Sequence, residues 1–290
     1  MMVQLLGVGL LGPGLADWAQ GAALLRQGYV SAPTAVPAPQ LLPATERRRA
    51  GTVVKASIVV ADAAVAAAGL QAALLPTVFT SSTGDPTNCH LLCEALAQPE
   101  RLVSPTRFTN SVHNAAAGYW HIALHSRAPS TSLAAHDASF AAGLLEAAVQ
   151  CLAAQTPVLL VACDVPYPEP LHTLRPLADV FAVALVLGPV AASGAGSGFD
   201  AGAGPLLELQ AIGSGLADDD STGCTEPALE ALRRGIPAAR ALPLLVALAQ
   251  AQAQVTASAP ETSLVLQGAP GHALNLRLQA LQPQPVGAAA

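Results

Sequence analysis

A chain of 290 residues that is 52% hydrophobic and 11% charged has enough apolar material for a substantial core, the size of one large or two small domains. A formal net charge of -6 with 3% aromatic residues provides neither a basic stripe nor a stacking platform, which excludes nucleic acid as a partner. Five cysteines, an odd number in apolar surroundings, argue against a secreted disulfide framework and for reduced, mostly buried thiols.

The opening MMVQLLGVGLLGPG has no cationic n-region and no A-x-A-like cleavage site, so a core strand over Met2 to Val8 and a cytoplasmic chain are expected. Asp17 to Gln27 has helical spacing, and the proline-rich Ser31 to Pro43 reads as a surface loop. Glu46-Arg47-Arg48-Arg49 opens a long small-residue helix to about Ala68, with Gly69 as its stop. Lys55, Asp62 and Gln71 interrupt the most apolar window, so no integral membrane segment is expected.

A strand over Leu75 to Ser81 ends in the turn SSTGDP, and Thr87 to Ala97 is helical. Ser104 to Ala123, SPTRFTNSVHNAAAGYWHIA, divides into a polar, irregular first half and a tight alanine-glycine helix from about Asn114. A short strand (Ser130 to Ala135), a helix (Ala138 to Ala154) and two strands able to pair (Pro157 to Cys163, Val180 to Leu187) follow. Residues 191–204 read as a flexible low-complexity loop. Beyond it come a strand (Leu206 to Ile212), a polar turn, helices near Thr225 to Arg234 and Ala239 to Gln254, and a strand at Ser263 to Leu266 in a partly disordered 260–290 tail. Alternating strands and helices predict a layered α/β fold, with units at 1–190, 191–204, 205–259 and 260–290.

GVGLLG at Gly7 to Gly12 has the spacing of a dinucleotide turn, but no carboxylate lies between Asp17 and Glu46 to meet a ribose, which favours a plain strand turn. Cys89, His90 and Cys93 share helical spacing without a second cluster, so core thiols are preferred to a metal site. Neither a metal nor a cofactor is expected. No G-x-S-x-G elbow is present. His113, between Asn110 and Asn114, suits a base or substrate contact, or a histidine tied into hydrogen bonds at a helix start. In SLAAHDASFAAGLLEAA a turn presents His136-Asp137 to a helix N-terminus, where an anion is stabilised and a thiol would become a thiolate. The residue is an aspartate, expected to act as an N-cap.

In order, these segments resemble the N-terminal half of the β-ketoacyl synthases, the thiolase-fold condensing enzymes of fatty acid and polyketide synthesis. The carriers are the Val3 to Gly14 strand and turn, the Arg47 to Gly69 helix, SPTRFTNSVHNAAAGYWHIA, PVLLVACDVPYPEP and FAVALVLGP. The resemblance implies a thiolase-like fold of helices around a mixed sheet, mainly its N-terminal half, with a shortened C-terminal part. It places Asp137, or His136 with a one-residue slip, where those enzymes carry their acyl-accepting cysteine. After Gly188 the chain has one histidine, His272, where the family uses two, and lacks HGTGT-like and NSFGFGG-like motifs.

More narrowly, SPTRFTNSVHNAAAGYWHIAL and DASFAAGLLEA resemble the short ketosynthase-like proteins of aryl polyene and xanthomonadin-type pathways. This implies a catalytically silent chain length factor, in a heterodimer with a β-ketoacyl synthase that elongates chains on an acyl carrier protein. Phe108, Val112, Ala116 and Tyr119 are the expected acyl-tunnel walls, with Asn110, His113, Asn114 and Gly118 beside them at the interface. Two alternatives stand: a condensing enzyme or acyltransferase using Ser139, Asp137 or His113, and a remnant that only binds acyl chains or another subunit.

Overall fold

The computed structural model describes residues 1–190, 204–212, 220–253 and 261–279. The expected 191–204 loop, apart from its last residue, lies outside them, as do the polar turn after Ile212 and residues 280–290 of the expected tail.

One mixed sheet organises the chain. Its strands are β1 (Met2–Leu11), β2 (Thr77–Thr80), β3 (Ser130–Leu133), β4 (Val158–Asp164), β5 (Phe181–Pro189), β6 (Leu206–Ile212), β7 (Thr262–Gln267) and β8 (Ala273–Gln279). They lie in the order β3-β2-β4-β5-β1-β6-β8-β7. β2 pairs in parallel with both β3 and β4, and all other neighbours are antiparallel. β4 is buried along its whole length, and so is β5 except for Pro189, because helices cover both faces of the sheet; their near-continuous apolar sequence is the mark of a central strand.

α3 (Thr52–Ala68) and α6 (Ala115–Ala123) pack on one face around Trp120, Leu159, Val161 and Ala184. On the other face lie α1 (Trp18–Gln27), α7 (Ser139–Ala154), α9 (Pro227–Gly235) and α10 (Leu242–Ala253), around Phe140, Leu144, Leu160 and Leu185. The 136–154 stretch is long and apolar enough for a membrane span, yet half of it is buried in this core.

The glycines of GVG serve packing. A Cβ on Gly7 would stand 2.1 Å from the Ala64 carbonyl oxygen, and one on Gly9 would stand 2.0 Å from that of Val60. β1 and α3 thus meet backbone to backbone, and β1 runs on to Leu11, past the expected end at Val8.

Two expectations need correction, the strand expected at Ser263 to Leu266 is present as β7, and one strand is additional. The helix expected from Glu46 is broken: α2 (Ala44–Arg49) ends at an extended Ala50 before α3 begins. The break sits where Gly51 passes Asp85, the N-cap of α4 (Pro86–Ala97), so closely that a Cβ would be 2.2 Å from Asp85 Oδ2. The segment read as irregular contains α5 (Pro105–Ser111), capped by Ser104, which accepts from Arg107 N at 3.4 Å, and opened by Pro105. In the tail, β8 pairs with β6 and β7, burying Leu274, Leu276 and Leu278 at alternate positions.

The two sheet edges differ. The outer edge of β7 is occupied: Thr222 N donates to the Val265 carbonyl and Val265 N to Thr222 Oγ1, both at 2.8 Å. Beyond β3, no strand or backbone-bonded segment follows among the described residues.

Candidate functional site

The corner between β3 and α7 carries the histidine-aspartate pair. His136 sits in the left-handed region, φ 51°, and a 3-10 turn over His136–Ala138 precedes the α-helix. Such a backbone is unusual for a residue with a Cβ and is held by its surroundings. The 3-10 turn moves the helix start to Ser139, so Ala138 is the N-cap position and no side chain caps α7. Asp137 is therefore not the expected cap.

Its carboxylate instead joins two arginines. Arg175 Nη2 donates to Asp137 Oδ1 at 2.7 Å, and Arg240 Nη2 to Oδ2 at 3.2 Å. Arg175 comes from the β4–β5 connection, just after the short helix α8 (Leu171–Leu174), and Arg240 from the 3-10 turn Pro237–Ala241 ahead of α10. Arg175 also donates to Ser82 Oγ at 2.8 Å and reaches His136 Nε2. Ser139 is buried; its hydroxyl donates to the His136 carbonyl at 2.7 Å and accepts from Ala135 N at 3.0 Å, so it closes the corner's backbone.

A second carboxylate ties the same loops from inside. Asp164, at the end of β4, is 1% exposed. Its Oδ1 accepts from Ser82 N at 2.7 Å, Ser81 Oγ and Thr83 N at 3.0 Å and Thr83 Oγ1 at 3.3 Å; its Oδ2 accepts from Ala238 N at 2.8 Å. Burial pushes its pKa up, and these donors pull against that shift. Sequence reading missed Asp164, Arg175 and Arg240; a carboxylate closing an otherwise apolar strand was the one available signal.

The other expected site residues divide. His113 Nε2 donates to the Ser81 carbonyl at 2.9 Å, tying α6's approach to the turn that Asp164 holds. Asn110 is buried; it donates to the Arg49 carbonyl at 2.8 Å and accepts from Tyr119 OH at 3.0 Å, so both residues are occupied internally. Ala116 is buried, whereas Phe108 and Val112 are 62% and 43% exposed. Val112, His113 and Ala116 line a cavity with Phe79, Ser81 and Cys163. It leaves about 20 Å³ for a water-sized sphere, room for about one water.

Beside the β3 edge, His113, Asn114, Gly118, His121, Ser130 and Ser132 border an open groove of about 540 Å³. A Cβ on Gly118 would meet no heavy atom within 4 Å. His121 Nε2 lies 2.9 Å from Thr77 Oγ1, which donates to Ser130 Oγ at 2.8 Å, and burial lowers the histidine's pKa.

Of the cysteines, Cys151 and Cys163 are buried as expected, while Cys89 and Cys93 are exposed on α4, contrary to the expectation of core thiols. α4 buries only Pro86 fully, which is why helical spacing alone misplaced them.

The model of the family described as beta-ketoacyl synthase, N-terminal domain, matches residues 16–201. No protein among the curated sequences matches the chain. Similar solved structures include a ketosynthase (ApeO) in complex with its chain length factor (ApeC) from Xenorhabdus doucetiae, at 22% identity and TM-score 0.67, covering 95% of this chain and 99% of that one. The ishigamide ketosynthase/chain length factor aligns at 14% identity and TM-score 0.73, over 97% and 100% of the two chains. A type II polyketide synthase acyl carrier protein in complex with its hexaketide-bound ketosynthase (AntDE:AntF) aligns at 12% identity and TM-score 0.72, over 97% and 99%. At these identities the likeness establishes the thiolase-like ketosynthase fold.

Proposed function

The chain belongs to the β-ketoacyl synthase N-terminal domain family, and on that premise we propose that it is a catalytically silent, chain length factor-like subunit. It pairs with an active β-ketoacyl synthase and forms part of the wall around a chain growing on an acyl carrier protein, in aryl polyene-type biosynthesis. The observation that carries this reading is Asp137. On the placement that the family resemblance implies, the position of the condensing enzymes' thiolate falls at Asp137 or, with a one-residue slip, His136, and the Asp137 carboxylate is held by Arg175 and Arg240. A carboxylate so paired is a poor acyl acceptor, because both oxygens are already engaged with cations.

Two further features support a partner rather than independent turnover. Among the described residues the β3 edge is open while Thr222 bonds the β7 edge, and a groove borders the β3 side. An unpaired strand edge is a ready template for another chain. Phe108 and Val112 expose apolar surface, as does Leu96 on α4, and these give a partner something to cover. In this proposal Phe108, Val112, His113, Asn114 and Gly118 face the partner's acyl tunnel, while the buried Ala116, with Asn110 and Tyr119, holds that surface in place from behind.

The test is co-expression with ketosynthases drawn from pathways that elongate carrier-bound chains, followed by purification through a tag on this chain. A stable one-to-one complex is expected. A chain that remains alone with every such partner, or forms only homodimers, contradicts the proposal.

A further inference from the structure

The Asp137 corner gathers opposite charges from distant parts of the chain. Two guanidiniums from separate segments converge on a single carboxylate, at 2.7 and 3.2 Å, with their side chains 28% (Arg175) and 14% (Arg240) exposed. Among the described residues, His136 Nδ1 stands 3.6 Å from the carboxylate, and Tyr167 lies close enough for the charges of Arg175, Asp164 and Asp137 to act on its hydroxyl. Behind the carboxylate lies the start of the sixteen-residue helix α7 with the positive end of the helix dipole, where the N–H groups of Ala138 and Ser139 already donate to the Ala135 and His136 carbonyls. The two guanidiniums and the helix dipole favour an anion at this point, and the chain supplies that anion itself.

We propose that Arg175 and Arg240 form a carboxylate-binding site for which Asp137 is the tethered ligand, so that the corner is closed by self-occupation. The tether presents a carboxylate at an effective concentration that a free acid or an acyl group bearing a carboxylate cannot match. The site therefore excludes such ligands in the intact chain and accepts small carboxylates once the side chain of Asp137 is removed. This inference rests on the geometry of the corner and stands whether or not the chain has a ketosynthase partner.

The test uses the full chain. Asp137→Ala is compared with wild type in thermal unfolding while formate, acetate or malonate is added at constant ionic strength, with chloride as the control. A saturable rise in the variant's midpoint with carboxylates but not chloride is expected, absent in wild type and lost in Asp137→Ala/Arg240→Gln. No carboxylate-specific rise, or an equal rise in wild type, overturns the proposal.

If Asp137→Ala does not fold, Asp137→Cys decides instead. A thiolate placed between the two arginines should be alkylated with a midpoint about one pH unit or more below the ordinary thiol range near 8.5. Site-resolved mass spectrometry separates it from Cys89 and Cys93. The added Arg240→Gln change should move the midpoint back up. A midpoint in the ordinary range in Asp137→Cys itself refutes an anion site at this position.

Discussion

Gly118 separates stability from association more cleanly than any other residue of the groove. It lies inside α6, and a Cβ there would meet nothing within 4 Å. Gly118→Ala removes the backbone entropy penalty of a helical glycine without a clash, so the isolated chain should gain about 0.5–1 kcal/mol. Gly118→Leu keeps most of that gain and places a branched side chain in the groove beside His121, Ser130 and Ser132. If a partner fills the groove to ordinary packing density, the intruding side chain costs about 1–3 kcal/mol of association, or roughly 5- to 150-fold in Kd. Urea denaturation of the lone chain and calorimetric titration with the partner ketosynthase measure the two effects. Unchanged affinity for Gly118→Leu, in a chain that folds as stably as wild type, refutes the placement of the partner in this groove.

Gly9→Ala should do the opposite to the fold: its Cβ would lie 2.0 Å from the Val60 carbonyl oxygen, and α3 cannot retreat from β1 without opening the core around Ile58 and Ala61. The expected loss is about 2–3 kcal/mol or more in urea denaturation. Under native conditions, maleimide should label the exposed Cys89 and Cys93, Cys89 the more slowly because partial burial and neighbouring Cys93 raise its thiol pKa, and leave Cys151 and Cys163 untouched, because both are buried and burial pushes the Cys151 thiol up to about 11 and raises that of Cys163 further; mass spectrometry resolves the sites. Glu230 is held at about 2, below its ordinary 4.5, chiefly by its hydrogen bonds with Arg233 and despite partial desolvation. A depressed carboxylate stabilises the fold above pH 4.5 and loses that contribution as pH falls toward about 2. Glu230→Gln should cost about 1–2 kcal/mol at pH 7 after discounting for solvent screening, with the difference from wild type narrowing below pH 4.5 in denaturation curves.

Much of the scaffold was legible because its signals are local. Central strands such as Leu159 to Cys163 and Val183 to Leu187 announce themselves as unbroken apolar runs, and Gly69 ends α3 in the left-handed conformation that the sequence suggests. The misses have physical causes of two kinds. α5 was hidden because its Ser104-Pro105 start precedes a polar run with little apolar periodicity, and Gly51 broke a helix for the sake of Asp85, 34 residues along the chain. The site itself was half legible. The histidine-aspartate corner was visible as strand, turn and helix, but its ion pairs join residues 137, 175 and 240, and Asp164 gathers donors from residues 81 to 83 and 238. Convergence of that kind depends on the topology of the sheet and leaves no spacing to read.

In the proposed function this chain contributes walls and interface while its partner performs the condensation. The most direct measurement gives the purified chain, the purified ketosynthase and their complex the same acyl- and malonyl-loaded carrier proteins, and follows product by mass spectrometry. The account expects no condensation from this chain alone, elongation by the complex, and none when the partner's active-site cysteine is replaced. Turnover by the isolated chain, or an acyl group mapped to Asp137, His136, Ser139 or His113, contradicts it.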